Sequence, residues 1–152
     1  MAAFLETNVY SFRGTVLIYG ACLPELSPKG FEKLSENTDG CYALCLERDH
    51  LNMAVTKLTA ILGTGQVKRL RFATVDRSPH CVQMHYIRHE IERVLPEHIP
   101  MESWVVVEDR PVRISPETVE RAKSLALLEA EEKARRGGSE PEATRYDSQN
   151  FC

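Results

Sequence analysis

The chain has 152 residues, with 19 basic and 22 acidic side chains, a formal net charge of −3 and 43% hydrophobic residues, the composition of one globular domain. A chain of this length buries about two-thirds of its unfolded surface, so its core needs neither disulfides nor a metal, and any metal would be there for function. The mild acidity argues against a duplex nucleic-acid binder, which needs a concentrated basic face; Lys68, Arg69 and Arg71 are too few to supply one.

The N-terminus carries no basic start followed by an apolar run and cleavage site, and no apolar stretch approaches the roughly 20 residues of a membrane span. The expectation is a cytoplasmic protein without a membrane span. Five cysteines in such a chain, an odd number, fit thiols or metal ligands better than a disulfide framework.

In chain order, residues 13–20 form an apolar, β-branched run fenced by glycines and read as a buried strand, with Cys22 just beyond its carboxyl end. Ser27-Pro28 opens a short helix that closes near Asn37. Asp39-Gly40 is a turn, directly followed by Cys41 and Cys45. From Asp49, a plausible N-cap, Leu51, Val55, Leu58, Ile61 and Leu62 recur at helical spacing until Gly63 and Gly65. Residues 66–75 read as the next strand, and Ser78-Pro79 starts a helix with Met84, Ile87, Ile91 and Val94 on one face. Ser103 to Val107 is a further strand, Asp109-Arg110 a turn, and residues 111–114 a short extended segment. Ser115-Pro116-Glu117 caps a last helix running to about Arg135, whose stripe of Val119, Ala122, Leu125, Ala126 and Leu128 is most simply explained as packing on the sheet. If exposed, that stripe would be a docking face.

Strands alternating with helices imply crossover connections and a mostly parallel sheet with helices on both faces, a three-layer α/β architecture. Residues 1–136 are expected to form one domain, and residues 137–152, small, polar and charged at their start, a disordered tail. In such folds ligands bind beyond the carboxyl ends of the strands. Cys22 and Cys81 both follow strands by a short loop, and Cys41 and Cys45, if helical, would share a face. The spacing Cys-x18-Cys-x3-Cys-x35-Cys would let four thiols from three loops converge on one rim.

Soft thiolates select zinc, copper(I) or iron–sulfur clusters, and four cysteines match a single [4Fe–4S] cube. Cys81 falls in the first turn of a helix, where free backbone N–H groups suit an anionic ligand. Arg48, Arg77 and His80 would offset negative charge. A free cysteine is often merely a small core hydrophobe, but four beside turn signals favour a shared site. Cys152 has no assigned role.

Sharper motifs are missing: no run of four closely spaced cysteines, no Cys-x3-Cys-x2-Cys, since Arg48 stands where the third would be, and no Gly-x-Gly-x-x-Gly or Walker loop. His85 and His89 share a helical face and could join Cys41, Cys45 and Cys81 in a zinc site. Beside Arg88, Glu90, Glu92 and Arg93, however, these histidines read as solvated surface. Glu47, Asp49 and Asp76 lie near the rim at generic spacing, and no nucleophile–base pair stands out.

Gly20-Ala21-Cys22-Leu23-Pro24, Asp39-Gly40-Cys41-Tyr42-Ala43-Leu44-Cys45 and Ser78-Pro79-His80-Cys81 give the chain a resemblance, over about residues 13–114, to small proteins of anaerobic microbes described as 4Fe–4S ferredoxin-like. More distantly it is similar to the cluster-bearing domain of nickel–iron hydrogenase small subunits and the related subunit of respiratory complex I. The resemblance implies a flavodoxin-like sheet presenting Cys22, Cys41, Cys45 and Cys81 to one cluster near a partner subunit. Those families carry two close cysteines after the first strand and a Cys-Pro at the last ligand, whereas here Cys22 is alone and Pro79 precedes Cys81.

Three readings follow. The first is an electron carrier or oxidoreductase subunit holding one [4Fe–4S] cluster, performing no bond-making chemistry itself and serving a protein redox partner or larger oxidoreductase complex. The second is a structural or regulatory zinc protein. The third is a metal-free interaction or assembly domain whose cysteines pack.

Overall fold

The run Gly14–Gly20 forms strand β2, and Val16, Leu17, Ile18 and Tyr19 are all buried, as a strand covered on both faces requires. The computed structural model describes residues 2–95 and 99–136. Around β2 stand β1 (Ala2–Ala3), β3 (Gly40–Leu44), β4 (Val67–Val75), β5 (Met101–Val107) and β6 (Arg110–Ile114), in the order β1-β3-β2-β4-β5-β6. All pairings are parallel except the β5–β6 hairpin. The helices are α1 (Leu23–Leu26), α2 (Pro28–Ser35), α3 (Leu51–Gly63), α4 (Pro79–Val94), α5 (Pro116–Ala122) and α6 (Leu125–Arg135). The expected mostly parallel α/β sheet is present.

The chain forms two units, residues 1–116 and 117–152. In the first, α3 and α4 bury Ala54, Leu58, Ile61, Met84, Ile87 and Ile91 with the side chains of alternate strand residues such as Val16, Ile18, Leu70 and Phe72. On the opposite face Leu23 of α1 and Phe31 and Leu34 of α2 pack with Leu17, Tyr19, Ala73 and Val106. The period of two along each strand separates these clusters.

The α2 start differs from its sequence signal. Ser27 is the N-cap residue but makes no side-chain capping bond. Instead Asp109, in the β5–β6 turn, accepts hydrogen bonds at Oδ1 from the Lys29 and Gly30 amides at 3.1 and 3.3 Å. Gly30 makes that approach possible, because a Cβ there would fall 2.4 Å from Val106 Cγ1. Asp49 likewise is no helix cap: His50 holds the N-cap position of α3.

On the α1/α2 face, toward the amino ends of β4 and β5, Arg71 lies opposite Glu102 in register. Glu102, with 10% of its side chain exposed, pairs with Arg69 Nη1 at 2.8 Å, Arg71 Nε at 3.3 Å and Arg113 Nη2 at 3.9 Å. Trp104 Nε1 donates to its Oε2 at 3.3 Å. Burial alone would raise the Glu102 carboxyl, but the indole N–H and the three guanidinium groups hold it below the usual carboxylate range.

In the second unit, the single helix expected from residue 116 to 135 is two, broken at Lys123 and Ser124. The apolar stripe divides with it: Val119 is buried, whereas Leu125 and Leu128 are exposed, Leu125 by 74%. A helix break rotates later residues out of the earlier phase, which the repeat of apolar residues alone did not reveal. Residues 137–152, the expected disordered tail with Cys152, lie outside the described residues. Among the described residues no helix is long and apolar enough to cross a membrane.

Candidate thiol site at the carboxyl rim

Strand β2 has β3 on one side and β4 on the other, so the connection leaving β2 runs one way and the connection from β3 crosses back over it. That reversal falls at the carboxyl ends of β2 and β4, where open parallel sheets usually have their ligand crevice.

Three cysteines stand around this crevice. Past Gly20, the Ala21 amide donates to the Leu44 carbonyl at 3.1 Å, continuing the ladder by one bond, and Cys22 becomes the N-cap of α1. On the next strand end Cys45 follows Leu44 directly. Its carbonyl accepts from the Asp49 amide at 2.7 Å and the Arg48 amide at 3.1 Å, and its own amide donates to Asp49 Oδ2 at 3.4 Å, so the turn is closed by its own residues. The Arg48 guanidinium, bonded to Asp49, holds that carboxyl below the usual range.

After β4, Arg77 takes the left-handed conformation (φ 62°) and reverses the chain. Ser78 caps α4 by accepting from the Cys81 amide at 3.3 Å, with Pro79 in the first turn as its fixed φ favours. Cys81 is 8% exposed. Its sulfur lies against the end of β2: a Cβ on Gly20 would stand only 3.2 Å from Cys81 Sγ. Gly20 therefore provides space for the sulfur at the crevice.

The thiols sense one another. Burial raises the Cys22 thiol, the neighbouring Cys81 raises it further through charge and direct side-chain interaction, and Cys45 adds a smaller electrostatic contribution. Glu47 Oε2 and His80 Nδ1, 3.9 Å apart, span from the Cys45 turn to the start of α4.

Cys41 is placed elsewhere, correcting the expectation of four thiols on one rim. It lies within β3, opposite Leu17, three residues before the strand's end, or about 10 Å down the sheet. There its Sγ is 3.1 Å from Thr38 Oγ1. It packs with the α1/α2 cluster, close enough to add to the burial that raises the Tyr19 hydroxyl. The helical pairing of Cys41 with Cys45 does not occur, because residues 40–44 are a strand.

The histidines also depart from expectation. His85 is 3% exposed, not solvated, and its Nε2 lies 2.9 Å from Thr74 Oγ1 near the end of β4. Burial drives its pKa down to about 4. With Cys41 on the α1/α2 face and His85 buried beside Thr74 under α4, the five-residue zinc set is not brought together. His89 is half-buried on α4. Among the described residues, no three His, Cys, Asp or Glu side chains are arranged to hold a single metal ion.

Sequence reasoning placed Gly20 beside the sulfurs and Cys81 in the helix turn begun by Ser78, but missed Thr74 as the partner of His85. The Ser78 cap carried a local signal, a serine three residues ahead of the amide it caps; the Thr74 contact carried none.

No curated protein and no solved structure shows a significant match to the chain. A family defined as a Rossmann-like domain matches residues 12–140, which include the sheet from β2 to β6 and all three rim cysteines. The chain belongs to the Rossmann-like domain family.

Proposed function

We propose that the crevice thiols of Cys22, Cys45 and Cys81 hold an iron–sulfur cluster and that the protein passes single electrons to a protein redox partner. The observation that carries this reading is the arrival of three cysteines from three strand ends at the reversal point of the sheet. In nucleotide-binding sheets that point carries a glycine-rich phosphate loop; here Gly20-Ala21-Cys22-Leu23-Pro24 follows β2 instead.

The donor set fits the group in type, and the three rim thiols supply three of the four cysteine ligands that a [4Fe–4S] cube takes. Thiolates are the usual ligands of iron–sulfur clusters, and a cluster spreads them over several irons, so its ligands stand farther apart than those around one tetrahedral ion. Such a cluster supplies reversible one-electron chemistry at a potential tuned by hydrogen bonds, net charge and solvent exposure. The chain's own contributions are definable. Gly20 leaves room beside Cys81, the α4 amino end presents backbone N–H groups, and Arg48 and His80 place cationic or protonatable groups beside the Cys45 and Cys81 loops. The reading narrows the four expected ligands to three and leaves Cys41 a packing residue.

Absorption of anaerobically purified protein, with iron and acid-labile sulfide content, tests it. A charge-transfer band bleached by reductant, with near-equal iron and sulfide, is expected. Cys22→Ser, Cys45→Ser and Cys81→Ser each lower the iron content, while Cys41→Ser and Cys152→Ser keep it. A colourless protein that stays colourless after anaerobic addition of iron and sulfide overturns the reading. One equivalent of zinc without sulfide would replace it with a zinc site.

A further inference from the structure

We propose that, in the metal-free protein, Cys22 and Cys81 close a reversible intramolecular disulfide across the carboxyl ends of β2 and β4. The inference uses the same crevice thiols but does not depend on which group they hold. Among the described cysteines the structure singles out this pair. β2 and β4 are direct neighbours, in register up to Tyr19 and Ala73, so the two chains leave the sheet side by side. The Cys81 sulfur lies against Gly20, two residues before Cys22, which caps α1 just past that strand end, and Cys81 raises the Cys22 thiol more than Cys45 does. Cys45 also sits in a turn closed upon itself by Arg48 and Asp49, and Cys41 lies down the sheet beside Thr38. Neither offers Cys22 a comparable approach.

The chemistry balances with a low-molecular-weight disulfide as oxidant. The thiolate of Cys22, the more exposed of the two, attacks one sulfur of oxidised glutathione, forming a mixed disulfide and releasing one glutathione thiolate. The Cys81 thiolate then attacks the Cys22 sulfur, forming the Cys22–Cys81 bond and releasing the second glutathione. Two protein thiols lose their protons, the two glutathione thiolates take them up, and two electrons pass to the glutathione disulfide. A dithiol reductant reverses the sequence. The closed pair withdraws two of the three crevice ligands, so oxidation blocks cluster loading until the pair is reduced.

The experiment uses the full chain, stripped of metal with chelator and fully reduced, then treated anaerobically with oxidised glutathione and mapped by peptide mass spectrometry. A linked pair of peptides bearing Cys22 and Cys81, two hydrogens lighter than their sum and released by dithiothreitol, is expected as the main product. Cys22→Ser then abolishes the link and Cys41→Ser leaves it. Gly20→Ala, with folding checked by circular dichroism, is expected to slow closure at least tenfold by displacing the Cys81 sulfur. Separate glutathione adducts on Cys22 and Cys81, a Cys22–Cys45 link, or links only between molecules would overturn the proposal. Failure here with normal cluster assembly removes only the disulfide. A disulfide in a protein that never takes up iron and sulfide removes only the cluster.

Discussion

The two ends of the sheet solve opposite problems. Toward the amino ends of β4 and β5, the Glu102 carboxylate is answered within the fold by Arg69, Arg71, Arg113 and the Trp104 indole. At the carboxyl rim, Cys22, Cys45 and Cys81 follow three strand ends, and the side-chain bonds that close the turns there come from other residues. The Cys45 turn is closed by backbone and Asp49, and the α4 start is fixed by Ser78. Polar chemistry at one end serves the fold, while at the rim the loops are closed by groups other than the sulfurs. A site kept apart from the groups that stabilise its scaffold can change oxidation state or ligand without unfolding it.

That contrast can be broken by stability measurements. The largest effect is expected at Glu102: Glu102→Ala leaves three guanidinium groups facing a depleted counter-charge and lowers unfolding free energy by about 3 kcal/mol in urea titrations, while iron uptake stays normal. A loss of iron uptake without a loss of stability would reverse the comparison.

Of similar size is the effect of the buried histidine under α4. The unfolded chain takes up a proton at His85 near its ordinary value of 6.5, whereas the folded chain refuses it until about 4. Stability is therefore complete above pH 6.5 and lost as pH falls through this window, by up to about 3 kcal/mol. Denaturation at pH 7 and pH 4.5 checks this, and His85→Gln is expected to flatten the difference.

A smaller effect belongs to Ser78→Ala, which removes the α4 cap and costs about 1 kcal/mol. Because the same bond fixes the Cys81 amide, cluster retention should weaken in parallel. Smallest of all, Cys45→Ser in the metal-free protein is expected to change stability by no more than about 0.5 kcal/mol. A larger cost would mark Cys45 as part of the scaffold.

Much of this architecture was legible from periodicity. The apolar run of β2, the repeat of α3, the proline-started α4 and the turn of the β5–β6 hairpin each carry a local signal that the tertiary structure keeps. β3 was missed because Gly40-Cys41-Tyr42-Ala43-Leu44 has no β-branched residue, and its pairing with β2 and β1 supplies what propensity lacks. That omission also put Cys41 at the rim instead of inside the strand. His85 was read as surface from its charged neighbours, yet Cys81, Met84 and His85 fall on one side of a helix that also buries Ile91, a pattern the sequence did contain. The Glu102 cluster depended on strand register, which no local pattern specifies.

The capping of α2 by Asp109 has a consequence for the order of folding. A helix of eight residues is too short to persist alone in water, and its N-terminal amides find their acceptor some 80 positions away, at the tip of the last hairpin. The N-terminal capping of α2 is therefore complete only once β5 and β6 have turned and docked. Its Lys29 and Gly30 amides should acquire protection from hydrogen exchange in step with the hairpin, and lose it first when Asp109→Ala removes the acceptor.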